Sequence, residues 1–225
     1  MATSRQLDAG VSDARPDERA TTPARGGGTT GNERLTAAAS AVLIVLLAVI
    51  GVTILQLGQL LWLHLFVGML LIGPLALKLA STGYRFVRYY TGDRAYRLKG
   101  PPPAALRAMA PIVVLSTVVV FASGVALLFA GPRSRGTLLP IHKVSFIVWG
   151  VFVGLHVLAH LPSIPAALRG DYGASSSLGE RLPGRSGRTL ALAGALVGGL
   201  VLAVIVIPEF GPWMHASGLH HHHGG

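Results

Sequence analysis

The chain of 225 residues contains no cysteine. That excludes disulfides, thiolate zinc sites, iron–sulfur clusters and the thioether attachment of a c-type haem. Any metal or cofactor must be held by histidine or by weaker ligands. Charge is scarce too: 12% of residues are Asp, Glu, Lys or Arg, about half the share usual in a soluble domain. Between Arg34 and Lys78 there is none. No carboxylate falls in any of the long apolar runs, which weighs against a cation or proton pathway built on acids.

What the chain has instead is apolar sequence, 51% of its residues with a mean hydropathy of +0.57. The apolar residues come in uncharged runs of about 20, the length a helix needs to cross a bilayer. Helix is the expected state, because an open strand in lipid leaves its backbone unpaired. The fold class expected is therefore an all-α integral membrane protein, a bundle of about five spans. The spans are expected at Leu35–Leu57, Leu61–Tyr84, Ala105–Ala130, Leu139–Leu161 and Thr189–Ile207. Residues 1–33, polar and carrying five acids, read as a disordered cytoplasmic tail. Residues 34–208 form the bundle, and residues 209–225 an extracytoplasmic His-rich tail.

Net charge is +10, and the basic residues gather in the loops between spans. Topology and anionic lipid account for them, so membrane lipid is an expected partner and nucleic acid is not. The loop after span two carries Arg85, Arg88, Arg94, Arg97 and Lys99, and the loop after span four Arg169, Arg181, Arg185 and Arg188. The positive-inside rule then places the N-terminus in the cytoplasm and the C-terminus outside, in a bacterial plasma membrane. Trp62 and Trp213 fall at the outer interface, where tryptophan is favoured.

Histidine is where chemistry enters. Spans two and four both run inward, with His64 and His142 about three residues below their starts. His156 follows His142 by fourteen residues, within about 40° of the same helix face and about 21 Å along the axis. His160, eighteen residues on, shares that face. Span two repeats the spacing with Lys78, fourteen residues after His64. Two parallel helices with matched tiers suit haem, since a bis-histidine site takes one imidazole from each of two facing helices. Gly68, Gly150 and Gly154 could let a macrocycle approach, or could serve close helix packing.

On His64 in LWLHLFVG, His142 in LPIHKVSF and His156 in FVGLHVLAH, the chain resembles the bacterial b-type membrane cytochromes, the cytochrome b561-like and respiratory cytochrome b group. The resemblance covers spans two to four. It implies haem b on such histidines, with electrons passing between quinone and a partner oxidoreductase. The chain would then be an electron-transfer subunit of an oxidoreductase rather than a stand-alone enzyme. The expected haem-contacting residues are His64, His142, His156, His160 and Lys78, with iron on His64, His142 or His156. One haem, between His64 and His142, is the firmer expectation, and a second could stand below it.

The departure is Lys78, where a two-haem pattern calls for histidine. Its amine either ligates iron when neutral or snorkels to the cytoplasmic interface. An inner haem using His156 competes with a quinone pocket built on His156 or His160. His220–His223, in the terminal HHHH, could bind a metal at the surface or be the remnant of a purification tag. Two other functions remain open: a structural membrane subunit with incidental histidines, and a metal-ion or proton transporter using the histidine stripe.

Overall fold

The structure, a computed structural model, describes residues 28–98, 100, 104–160 and 184–218. Five of its helices are long and apolar enough to cross a membrane, and the protein is an all-α membrane helix bundle. They are α1 (Gly28–Leu55), α2 (Leu57–Tyr90), α4 (Ala104–Ala130), α5 (Arg135–His160) and α6 (Arg185–Ile205). Two short helices join them: α3 (Arg94–Leu98) follows α2, and α7 (Gly211–Gly218) closes the described chain. The expected polar tail up to residue 27, Pro101–Pro103, the loop 161–183 and His220–His223 lie outside the described residues.

Most expected span limits hold within about four residues, and the differences that bear on the site are these. Helix α1 begins at Gly28, inside the segment read as tail, because its first turns have partners on α2. Asn32 donates to the Ser81 carbonyl at 3.2 Å, and Glu33 pairs with Arg85 at 3.4 Å. Helix α2 runs past the expected interface to Tyr90, carrying Arg85 and Arg88 on two extra turns. Helix α5 starts at Arg135, with Pro140 accommodated inside it. His142 is therefore seven residues into its helix, deeper along it than the sequence suggested.

Packing divides the bundle in two. Helices α1 and α6 both lie along α2, while α5 lies along α4. The α4–α5 hairpin meets the other three through a shorter contact of α4 with α2 and through the C-terminal segment. Where α2 crosses α6 the backbones touch. A Cβ on Gly73 would collide with the Ala195 carbonyl oxygen and lie 2.8 Å from the Gly199 nitrogen. A Cβ on Gly199 would likewise strike the Leu70 carbonyl oxygen. In lipid no solvent-driven collapse pulls helices together, so contact of this kind through small residues supplies the association.

The described part of the C-terminal segment, up to Gly218, packs on the bundle. After α6 the chain turns through Ile207–Phe210 into α7, and both Phe210 and Trp213 are buried. Trp213 donates its indole N–H to the Leu128 carbonyl at 3.2 Å. It packs in a cluster with Met69, Leu127, Leu128, Ala203 and Val206. The Trp213 ring, expected at the outer interface, is covered by protein at the bundle end, where α7 folds back. Trp62 remains 41% exposed, stacked on Phe66 with centroids 5.1 Å apart.

Candidate functional site

Two cavities lie between the α1–α2 pair and the α4–α5 hairpin, one nearer the α1–α2 turn and one nearer the basic end of α2. The turn-end cavity, about 330 Å³, is lined by His64 and His142 together. The basic-end cavity, about 410 Å³, is lined by Lys78 and His156. Leu47, Leu71, Phe121 and Trp149 line both, so they form the partition between them. The two tiers inferred from fourteen-residue spacing correspond to two spaces in the bundle. His156, expected one tier below the His64–His142 pair, lines the basic-end cavity with Lys78.

The hydrogen bonds fix the tautomer of both rings in the turn-end cavity. Thr53 donates its only hydroxyl hydrogen to the Ile50 carbonyl at 2.7 Å. Donating there, it accepts from His64, whose Nδ1 lies 2.9 Å from Thr53 Oγ1. His142 Nδ1 lies 3.1 Å from the Val120 carbonyl oxygen, which accepts and cannot donate. The Ser123 hydroxyl, 3.1 Å from the same nitrogen, donates to Val120 and is an acceptor there as well. Each ring thus carries its proton on Nδ1 and keeps the lone pair on Nε2. Anchoring one imidazole nitrogen to a carbonyl or hydroxyl is how proteins orient a histidine that ligates through the other.

Sequence reasoning missed Thr53, Ser123 and Gly124. A Cβ on Gly124 would lie 3.0 Å from His142 Cε1 and 3.4 Å from Nδ1, so the ring rests against this glycine. Gly68 lines the turn-end cavity with open space above it, while Gly150 and Gly154 line neither cavity. The missed residues leave little trace in sequence, because a hydroxyl that caps its own helix turn looks the same whether or not a histidine faces it. The walls are otherwise apolar, with Leu61, Leu65, Val125 and Leu139 among them, and Arg135, Lys143 and Trp213 complete the lining.

Lys78 does not reach for the loop. Its ammonium donates to Ser40 Oγ on α1, and Ser40 passes its own proton to the Thr36 carbonyl at 2.7 Å. Thr36 and Ser81 share a hydrogen bond of 2.5 Å, and Ser81 donates to Asn32 Oδ1 at 2.8 Å. The α1–α2 seam is therefore polar from Asn32 to Lys78, where its sequence reads as ordinary small residues. His160 ends α5, and its side chain lies outside the described set. On the hairpin, Trp149 donates to Thr117 Oγ1 at 3.0 Å, which holds the partition ring in place.

Among the described residues no group of three or more His or acidic side chains could hold a bare metal ion. A pair of imidazoles is what a metal already carried in a macrocycle requires, since the macrocycle supplies the equatorial nitrogens. No family model, no curated protein and no solved structure matches the chain.

Proposed function

We propose that the protein is a membrane b-type cytochrome, with haem b held in the turn-end cavity between Nε2 of His64 and Nε2 of His142. The observation that carries this reading is the pair of imidazoles lining one apolar cavity from α2 and α5, each with Nδ1 tied back and Nε2 left as the lone-pair nitrogen. Bound there, haem supplies a reversible one-electron couple whose potential depends on its axial ligands and on the dryness of its surroundings. The chain's own part is orientation and exclusion. Thr53 and the Val120 carbonyl hold the rings in the ligating tautomer, and each hydrogen bond raises the basicity of the opposite nitrogen. The leucine and valine walls keep water out. Arg135 and Lys143 offer cations to carboxylates at the edge of the cavity.

One haem per chain is assigned, because Lys78 is engaged by Ser40. With the basic loops in the cytoplasm, this haem stands in the outer half of a bacterial plasma membrane. Electrons would pass between the quinone pool and a partner oxidoreductase, with this chain as the electron-transfer subunit.

The test is a visible spectrum of the detergent-purified protein, oxidised and dithionite-reduced. Sharp α and β bands on reduction, with a pyridine haemochrome ratio near one per chain, are expected; a colourless protein from haem-replete cells overturns the assignment. Thr53→Val, which removes the acceptor of His64 Nδ1–H, is expected to weaken haem retention about 10–100-fold. Titration of apoprotein with haemin reads that change.

A further inference from the structure

The basic-end cavity has a charge problem that the haem assignment does not solve. Lys78 lines it from α2, and Glu33, near the start of α1, is the one acid in the five long helices. Among the described residues its one polar partner is Ser40, a neutral hydroxyl. Among the described residues the only carboxylate lining this cavity, Glu33, is paired with Arg85 at the basic mouth. With Lys78 protonated, the described lining carries one positive charge that no described acid in it balances. The remaining walls, including Leu43, Leu75, Val113 and Val153, are apolar. A positive charge in low-dielectric surroundings strongly favours an anion over a neutral molecule of the same shape.

We infer that the basic-end cavity is a binding site for an anionic amphiphile, with its charged oxygens on Lys78 and its hydrocarbon body along the apolar walls. Lys78 lies six residues before Tyr84, about 9 Å along the helix. That depth is reachable by a single-chain carboxylate or by an acidic lipid headgroup drawn in from the leaflet, and both offer the same anionic oxygen chemistry. The ammonium provides recognition, and Ser40, itself anchored to the Thr36 carbonyl, fixes where the ammonium stands. The site is distinct from the histidine pair and does not depend on it. Its occupant would pack against the far side of the Phe121 and Trp149 partition.

The experiment is electron paramagnetic resonance on the full chain in phosphatidylcholine vesicles, at a pH where the fatty acid is ionised. Spin-labelled stearate, its methyl ester and spin-labelled phosphatidylglycerol are titrated separately. Stearate is expected to show one saturable immobilised population per chain, with the ester at least about tenfold weaker. Lys78→Met should weaken stearate by a similar factor, whereas Lys78→Arg, which keeps the charge, should retain it. Phosphatidylglycerol binding as well as stearate identifies membrane lipid as the source; stearate alone identifies a free carboxylate. Equal binding of acid and ester, or unchanged binding in Lys78→Met, overturns the inference. So does loss of binding in His64→Ala, or a haem count that falls from two to one in Lys78→Met, which would put a metal in this cavity. A colourless wild-type protein that still binds stearate through Lys78 would defeat the cytochrome assignment and leave this site standing.

Discussion

Replacing either His64 or His142 by Ala is expected to remove the low-spin b-type spectrum altogether. Each substitution leaves the turn-end cavity with a single imidazole. A low-spin bis-histidine centre needs one ligand from each of the two helices, so neither ring can substitute for the other. The remaining contacts are weak and mostly apolar, and a small side chain in place of the ring also opens the cavity to water. His156→Ala is the informative control. That residue lines the other cavity, and its loss should leave the α and β bands at wild-type intensity per chain. The measurement is the reduced-minus-oxidised spectrum normalised to protein, alongside gel filtration to show that the variants remain folded. A spectrum that survives both His64→Ala and His142→Ala would mean that the ligands are elsewhere.

The largest loss of stability is expected from Gly199→Leu, at a position that lines neither cavity. The glycine sits where α6 touches α2, and any Cβ there runs into the Leu70 carbonyl oxygen. Backbone cannot move aside as a side chain can, so α6 must separate from α2 along the whole contact. A cost of about 3 kcal/mol or more is expected, at the upper end of overpacking in a close-packed core. Thermal unfolding in detergent would show it as a midpoint lowered by about 6–12 °C. The neighbouring Gly198→Ala is the matched control, because a Cβ at Gly198 meets nothing within 4 Å. It should leave the midpoint unchanged or raise it slightly, since alanine favours helix. Equal effects at 198 and 199 would mean that the crossing is not held by backbone contact. The glycine at 124 is a milder case: Gly124→Val would press on the His142 ring rather than on backbone. It should broaden or shift the spectrum while leaving unfolding near wild type.

The sequence by itself determined the class of the protein and the number of its spans. Long uncharged runs can satisfy their backbone in lipid only as helices, and that constraint acts residue by residue without help from neighbours. The pairing of tiers was legible for a similar reason. Helical periodicity is fixed, so the fourteen-residue steps His64 to Lys78 and His142 to His156 place their residues on defined faces at defined depths.

Only the tertiary structure decided what each of those residues faces. It supplied Thr53, Ser123 and the Val120 carbonyl as the partners of the two imidazoles, and turned Lys78 toward Ser40. It also buried Trp213 against the bundle end, where Leu128 accepts its N–H. Such relations join residues far apart in the chain, and a lone Ser or Thr in an apolar helix does not announce its partner. Charge shows the same division. Composition reveals that Lys78 is alone among apolar residues, but only the packing of α1 against α2 shows that it borders a cavity with no acid in its apolar part. In lipid an unmatched charge is settled by whatever lies within a few ångströms, and that distance is set by the fold.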